Sequence, residues 1–280
     1  MSEKPAAELF ADKVAVITGA SAGIGSGFAE QAASFGMKLV LADIAEERLE
    51  TFAEELRGRG AQVEAVRTDV ADPASVQALA NRAYERFGAV DMLINNAGIM
   101  AMGFSWEIPA EKWDAMLRIN IGGYVNTLRE FVPKMLEQGT QGWILQVSSI
   151  GGLFPSPLMA PYSVTKFGTL ALTESLHYEM AMLKAPIQVS VVLPDSVKSE
   201  IFSAAKGEGT LPAADAFNDA LQHRADTVGI TPQEHASRVF AQVAQGRYWA
   251  TAQPEAIDAG VEPRAQMIRN RVNPVLNFEV

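Results

Sequence analysis

The chain has 280 residues, 48% of them hydrophobic and 20% charged, a composition typical of a soluble globular protein with a sizeable core. The net charge of −10 argues against a nucleic-acid or anionic membrane surface, because both require clustered Lys and Arg. Cysteine is absent, which excludes disulfides, thiolate catalysis and cysteine metal sites, and is compatible with a cytoplasmic location. The first residues lack the apolar core of a signal peptide, and no run reaches the roughly 18 apolar residues of a membrane span.

The three histidines are scattered along the chain, at His177, His223 and His235. Their spacing matches no metal-binding pattern, so no metal site is predicted. We expect each histidine to lie at the surface or at an interface.

Short apolar runs alternate with helical patterns along most of the chain. Strands are predicted at residues 13–18, 38–43, 62–67, 91–95, 143–148 and 187–193. The helices predicted between them cover residues 24–35, 46–57, 75–87, 111–136 and 161–182, and Pro133 is expected to kink or end the fourth. This order predicts a single α/β domain over residues 1–280, a doubly wound parallel sheet of the Rossmann type with helices on both faces. Residues 1–12 are expected to be a tail.

The pattern changes after the sixth strand. Residues 198–230 are rich in Ala, Gly and Asp, have weak helical periodicity, and follow a strand end where ligands bind in such sheets. We interpret them as a substrate lid, the alternative being an inert surface insertion. A helix from Pro232 to about residue 245, a strand at 248–251 and a helix at 255–272 follow, so residues 252–280 form a helical C-terminal extension.

Three glycines lie between the first strand and the first helix, at Gly19, Gly23 and Gly25. Glycine permits a tight turn and a close approach of backbone N–H groups to a pyrophosphate. Asp43 ends the second strand, where a carboxylate can bind ribose hydroxyls and repel a 2′-phosphate, which favours NAD over NADP. Positions 20–22 and 44–45 contain no Arg or Lys that could bind that phosphate. The alternative role for Asp43 is a helix cap.

Tyr162 and Lys166 are four residues apart on a predicted helix and therefore share a face. A nearby ammonium favours the phenolate and is expected to lower the tyrosine pKa, which suits proton exchange with an alcohol or carbonyl oxygen. The pair alone is weak evidence, because such pairs are common on helix surfaces. Ser149, thirteen residues upstream of Tyr162, strengthens it.

These motifs together resemble the short-chain dehydrogenase/reductase family from about Lys13 to Ser199. The motifs are Thr18-Gly-Ala-Ser-Ala-Gly-Ile-Gly25, Asp69-Val70, Asn95-Asn-Ala-Gly98, Asn120, Ser149 and Tyr162-x-x-x-Lys166. The resemblance implies an NAD-dependent oxidoreductase. Its cofactor-binding residues would be Gly19, Ser21, Ala22, Gly23, Ile24, Gly25, Asp43, Asp69, Val70, Asn96, Ala97, Gly98, Tyr162, Lys166, Pro194, Asp195, Val197 and Ser199.

The resemblance also implies catalytic roles. Tyr162 would be the general base for alcohol oxidation and the acid for carbonyl reduction. Lys166 would lower the pKa of Tyr162 and hold the nicotinamide ribose, and Ser149 would bind the substrate oxygen. Asn120 would hold a water that links Lys166 to solvent, the alternative being a packing role inside a helix.

One position departs from the family pattern. After the sixth strand the family usually has Pro-Gly followed by Thr, whereas this chain has Leu193-Pro-Asp195 and then Ser199. We hypothesise that Asp195 alters cofactor affinity or substrate preference.

The predicted substrate side is apolar and carries no prominent arginine. Its candidate residues are Met100, Met102, Leu153, Phe154, Met159 and Phe202, which follow motif strands or flank the catalytic tyrosine. This composition favours a hydrophobic, aromatic or bulky secondary alcohol and its ketone over a sugar phosphate.

Three questions stay open at this point. The physiological direction could be ketone reduction, because the same site catalyses both. A second class of function is a catalytically inactive dinucleotide-binding sensor, which would not need the complete Ser, Tyr, Lys and Asn set. By family analogy we expect a homodimer or homotetramer, with the helices at 111–136 and 161–182 in the first interface. Tyr178, Met180 and Met182 suit that interface or the core.

Overall fold

The computed structural model describes residues 5–205 and 212–275, which form one seven-stranded parallel sheet covered by helices. The strands are β1 (Val14–Thr18), β2 (Lys38–Asp43), β3 (Val63–Arg67), β4 (Met92–Asn95), β5 (Gly142–Val147), β6 (Ile187–Val192) and β7 (Trp249–Ala250). Their spatial order is β3-β2-β1-β4-β5-β6-β7. The predicted doubly wound Rossmann-type fold is confirmed.

The helices pack on both faces of the sheet. They are α1 (Ala6–Phe10), α2 (Gly23–Ser34), α3 (Glu46–Gly58), α4 (Pro73–Phe87), α5 (Ala110–Leu117), α6 (Gly123–Gln138), α7 (Ala160–Leu183), α8 (Ile201–Ala204), α9 (Pro212–Val228), α10 (Pro232–Ala244) and α11 (Pro254–Asn270). One core, around Phe28 and Phe240, lies on the side of α2 and α10. The other, around Phe131 and Leu176, lies on the side of α6 and α7.

The strand order reverses at β1, which pairs with β2 on one side and β4 on the other. The chain leaves β1 toward the face covered by α2 and leaves β4 toward the face covered by α6. A crevice therefore opens between these two strands at their carboxyl ends. The turn after β1 and the segment after β4 border this crevice, and that placement brings the sequence motifs together.

The N-terminal residues are not a simple tail. Residues 6–10 form α1, and Phe10 is completely buried against Phe35, Trp143 and Phe240, with ring centroids 5.1–6.1 Å away. The expectation of a tail over residues 1–12 is therefore wrong for this part of the chain. A five-residue helix has too few apolar positions to show a helical period, so no pattern in the sequence predicts α1.

The expected surface position of His235 is also wrong. The side chain is completely buried between α10 and α2, with its ring edge-on to Phe28 at 5.6 Å. Neither ring nitrogen has a hydrogen-bond partner within residues 5–205 and 212–275. Burial lowers the pKa of His235 to about 4, so the imidazole is neutral in the folded protein.

The helix predicted at residues 111–136 has an interruption at a different place. Pro133 lies inside α6 without ending it, whereas a π-helical turn at Arg118–Gly122 separates α5 from α6. This turn contains Asn120. Single π-helical turns within α-helices are frequent at functional sites.

The segment interpreted as a lid is more helical than its weak periodicity indicated. It contains α8 and α9, while residues 206–211 lie outside the described part of the chain. A parallel bridge between Val197 and Ile230 joins the two ends of the segment. The C-terminal extension contains α11, as predicted.

Candidate active site

A cavity of about 580 Å³ lies at the carboxyl ends of β1, β2, β4, β5 and β6. Most of the predicted site residues line it, namely Gly19, Ala22, Gly23, Ile24, Asp43, Asp69, Val70, Asn96, Ala97, Gly98, Met100, Ser149, Phe154, Met159, Tyr162, Lys166, Pro194, Asp195, Val197, Ser199 and Phe202. The predicted residues outside the lining are Ser21, Gly25, Met102, Asn120 and Leu153. One continuous cavity therefore joins the nucleotide motifs to the catalytic motifs.

The glycine-rich turn leaves no room for side chains. Gly19 has φ +64°, and a Cβ on Gly25 would lie 2.0 Å from the Gly19 carbonyl oxygen. The Asn96 side chain fixes the turn by donating to the carbonyl oxygens of Thr18 and Gly19 at 3.0 Å each. The backbone of α2 therefore begins close to the cavity, and its N–H groups fit a pyrophosphate. Gly25 contributes by its absent side chain although it does not line the cavity.

Asp43 is held in a fixed orientation at the far end of this cradle. One of its carboxylate oxygens accepts hydrogen bonds from the Ser21 backbone N–H (3.0 Å) and hydroxyl (2.7 Å). The other accepts the Ala45 N–H at 3.0 Å; because Ala45 is the N-cap of α3 and no side chain caps that helix, Asp43 fixes the turn before α3 and does not act as its cap. Ser21 acts through Asp43 rather than by lining the cavity.

Arg48 is a cavity residue that the sequence reasoning missed. Its Nε donates to the Ser21 hydroxyl at 3.0 Å, and its guanidinium pairs with Glu200 at 3.0 Å. Arg48 occupies the first turns of a charged helix, where the sequence pattern does not distinguish it from a solvent-exposed arginine. A cation therefore lies close to the carboxylate that was expected to select the ribose.

Ser149, Tyr162 and Lys166 converge at the other end of the cavity. Ser149 follows β5, and its hydroxyl accepts the Gly151 N–H at 3.0 Å. A Cβ on Gly151 would lie 3.4 Å from both the Ser149 hydroxyl and the Tyr162 ring, so the two side chains flank this glycine. Lys166 donates to the Val147 carbonyl at 2.9 Å, and its Nζ lies 5.5 Å from the Tyr162 ring centroid.

Burial dominates the titration of these groups. It raises the pKa of Tyr162, and the hydrogen bond with Ser149 offsets only part of that shift. Burial also lowers the pKa of Lys166 to about 8. The prediction that the pKa of Tyr162 lies below its ordinary value is therefore wrong for the protein alone, because desolvation of the phenolate outweighs the hydrogen bond with Ser149. At neutral pH the phenol is a proton donor.

Asn120 lies behind the cavity, almost completely buried in the π-helical turn. Its amide donates to the Ile99 carbonyl (2.9 Å) and the Thr165 hydroxyl (3.1 Å), and its oxygen accepts the Ile99 N–H (2.9 Å). Both amide donors are used, so the side chain joins the segment after β4 to α7, next to Lys166.

The substrate end is formed by an apolar cluster. Met100, Met102, Met159 and Tyr162 are buried together, and Phe202 from α8 packs against them. Met102 belongs to this cluster without lining the cavity. Leu153, which the sequence placed in the substrate pocket, is not among the lining residues, because only its neighbour Phe154 reaches the cavity.

Comparison with known proteins assigns this architecture. Residues 13–208 match the model of the short chain dehydrogenase family. The chain belongs to the short-chain dehydrogenase/reductase family. It is therefore an oxidoreductase that acts on CH–OH groups with NAD(P), and the family inferred from the motifs is confirmed.

Individual relatives cover different shares of this dehydrogenase. The CLA biosynthesis dehydrogenase/reductase of Lactiplantibacillus plantarum is 38% identical over 193 residues, which are 69% of this chain and 68% of that protein. The C alpha-dehydrogenase of Sphingobium sp. is 30% identical over 272 residues, 95% of this chain and 88% of that one. A short-chain dehydrogenase/reductase from Burkholderia phymatum, solved in complex with NAD, superposes with a TM-score of 0.92 at 36% identity, covering 97% and 99% of the two chains.

The site of this dehydrogenase fits a dinucleotide. The cradle that a Cβ on Gly25 would fill, the α2 N-terminus and the oriented Asp43 carboxylate provide places for the pyrophosphate and a ribose. Ser199 lies at the other side, with its Cβ 3.3 Å from the Cβ position of Gly23. The residues present therefore fit NAD(P), which would supply the hydride acceptor or donor.

The departure at Asp195 has a structural partner. Arg224, on α9, donates two hydrogen bonds to the Asp195 carboxylate, at 2.9 and 2.7 Å. The sequence did not single out this arginine, because the pair spans two segments that only the fold brings together. Arg224 lines the cavity, but its guanidinium is already paired with a carboxylate, so it does not contradict the prediction that the substrate side has no arginine to bind an anionic substrate.

Within residues 5–205 and 212–275, none of the helices combines the length and apolar character needed to cross a membrane.

Proposed function

We propose that this dehydrogenase interconverts a hydrophobic, aromatic or bulky secondary alcohol and its ketone, with NAD as the cofactor. The observation that carries the proposal is the convergence of Ser149, Tyr162 and Lys166 beside an apolar cluster in the same cavity as Asp43. A buried apolar pocket with a few convergent polar groups is typical of small-molecule sites.

The polar groups define the chemistry at the substrate oxygen. The Ser149 hydroxyl would bind that oxygen, and Tyr162 would give it a proton during reduction or take one during oxidation. Lys166, held against the Val147 carbonyl, would place a positive charge near the developing phenolate and stabilise it. We assign Asn120 a positioning role, because it joins the segment after β4 to α7.

Asp43 supports NAD as the preferred cofactor. Its carboxylate is fixed by Ser21 and Ala45, and a fixed negative charge there would repel a 2′-phosphate. Arg48 favours some use of NADP, because its guanidinium brings a positive charge to the end of the cavity where a 2′-phosphate would lie. Its pairing with Glu200 reduces its availability to a phosphate.

The experiment is an absorbance assay of NADH and NADPH formation with aliphatic, benzylic and steroid secondary alcohols, followed by reduction of the matching ketones. Turnover of apolar secondary alcohols with NAD, and little with NADP, is the expected result. Activity confined to ketones would establish the reductase direction. Binding of NAD without turnover of any alcohol or ketone would favour the dinucleotide-binding sensor.

We also propose that the protein is a homodimer or homotetramer. Tyr178 and Met182 on α7 are 63% and 82% exposed, which is unusual for large apolar side chains and suits an interface. Met180 is buried and belongs to the core. Sedimentation equilibrium of the wild type and of a Tyr178→Glu/Met182→Glu variant tests this, and a monomeric wild type would contradict it.

A further inference from the structure

At Gly260 the C-terminal helix α11 contacts Phe154, a residue that lines the cavity. A Cβ built on Gly260 would lie 2.5 Å from Cζ of Phe154 and within 2.9 Å of its two Cε atoms. Phe154 is also a lining residue of the cavity. Its ring therefore contacts the helix on one side and contributes to the cavity surface on another.

Other attachments of α11 also lead to the active site. The Arg264 guanidinium lies 5.4 Å from the ring centroid of Phe167, the residue that follows Lys166. At the start of the helix, the Gln253 side chain donates to the Ser196 carbonyl at 3.1 Å, and Ser196 lines the cavity. None of the 17 residues of α11, all of which the structure describes, is buried. The helix thus lies on the surface above the site rather than in a core.

We propose that α11 supports the part of the cavity wall that Phe154 forms, and that Gly260 is a specificity-determining residue, which sets the position of the Phe154 ring. The inference rests on the proposed function and specifies its substrate: an alcohol whose bulky substituent occupies the space beside Phe154. Glycine allows the ring to lie against the helix. Any Cβ at this position must displace the ring, and the far end of a rotatable side chain moves more easily than a helix backbone. The displaced ring takes volume from the cavity.

The test is the Gly260→Ala variant with two alcohols, 1-phenylethanol and 1-(4-tert-butylphenyl)ethanol. We expect the kcat/KM of the larger alcohol relative to the smaller to fall by about tenfold, the scale of a misfit methyl group in an apolar pocket. The loss should appear in KM rather than kcat, because the Ser149–Tyr162 geometry is unchanged. Gly58→Ala is the matched control, since Gly58 ends α3 and a Cβ there meets nothing within 4 Å.

Phe154→Ala separates ring displacement from a general effect on the helix. If the ring transmits the change, adding Gly260→Ala to Phe154→Ala should leave the selectivity of the Phe154→Ala protein unaltered. An equally large loss of selectivity in the double variant would overturn the proposal. So would a Gly260→Ala protein whose selectivity equals that of the wild type.

A binding measurement distinguishes failure of this inference from failure of the proposed function. Calorimetry with NAD-loaded protein uses acetophenone and 4-tert-butylacetophenone, which NAD cannot reduce. Gly260→Ala should weaken the binding of the larger ketone more than that of the smaller one, even if no alcohol is turned over. Equal weakening of the binding of both ketones, or of neither, would refute the role of Gly260 in positioning Phe154, whereas lack of turnover by the wild type would refute only the proposed activity.

Discussion

The Arg224 guanidinium binds both carboxylate oxygens of Asp195, at 2.9 and 2.7 Å, and so joins α9 to the loop after β6. The Asp195 side chain is only 7% exposed, whereas that of Arg224 is 49% exposed. Asp195 stands where the family usually has a glycine, and its negative charge is therefore neutralised by an arginine of the segment interpreted as a lid. This pair links that segment to the rest of the cavity, as the Arg48–Glu200 pair does at the Asp43 end.

Removing Arg224 should disturb this link. We expect Arg224→Gln to lower kcat/KM by about tenfold, because it leaves a nearly buried carboxylate without its cation. Adding Asp195→Asn should recover most of the lost kcat/KM, because neither of the two amide side chains then carries a charge that needs a partner. Steady-state kinetics of the four proteins in a double-mutant cycle measures the coupling. Glu50→Gln, which breaks the exposed Arg57–Glu50 pair, is the control, and strictly additive effects would contradict the link.

The cofactor end gives a second prediction, which depends on Asp43 and Arg48. Asp43→Asn removes the charge that repels a 2′-phosphate and leaves the Arg48 cation beside the Ser21 hydroxyl. We expect the ratio of kcat/KM for NADP to that for NAD to rise by about tenfold or more. Adding Arg48→Ala should abolish this gain. If Asp43→Asn lost NAD activity without gaining NADP activity, Asp43 would only fix the turn before α3 and would not be the selector.

The buried His235 predicts a specific dependence of stability on pH. The pKa of the histidine is about 4 in the folded protein and about 6.5 in the unfolded chain, so the unfolded state binds more protons between these values. The contribution of His235 to the free energy of unfolding is fully present above pH about 6.5. It declines as the pH falls toward 4, by about 3 kcal/mol in total.

Urea unfolding across this range measures the effect. In the His235→Leu protein the free energy of unfolding should depend less on pH. The His223→Gln protein, changed at an exposed histidine, should retain the wild-type slope. Equal slopes in the His235→Leu protein and the wild type would contradict the buried neutral imidazole.

Phe10 predicts a stability role for the N-terminal residues. Phe10→Ala should lower the free energy of unfolding by about 3–5 kcal/mol, the usual cost of removing a buried ring. The neighbouring Glu8→Ala removes an exposed side chain and should change little. Urea denaturation measures both, and a Phe10→Ala protein as stable as the wild type would show that residues 6–10 do not belong to the core.

The sheet and the catalytic cluster could be predicted because their signals are local. Buried strands are short apolar runs, and Tyr162 and Lys166 are one helical turn apart, so periodicity alone places them on one face. The carboxyl ends of parallel strands then bring Ser149 and the glycine turn to the same edge. The family resemblance added the roles of these residues.

The residues that the sequence reasoning missed depend on contacts between distant segments. Arg224 on α9 meets Asp195 in the loop after β6, and Gly260 on α11 meets Phe154, and both pairs lie far apart in the chain. The sign of the Tyr162 pKa shift was also wrong, because desolvation depends on how completely the surrounding elements enclose the phenol. No periodicity in the chain reports enclosure of that kind.

We propose that Tyr162 exchanges the proton with the substrate oxygen, and the most direct measurement is the turnover of a secondary alcohol with NAD by the Tyr162→Phe protein. We predict a loss of about hundredfold or more, with NADH still bound in a fluorescence titration, because only the hydroxyl is removed. Tyr84→Phe, on α4 and outside the cavity lining, should behave as the wild type. Turnover of the Tyr162→Phe protein within about twofold of the wild type would contradict the account, since general acid–base catalysis contributes far more than that.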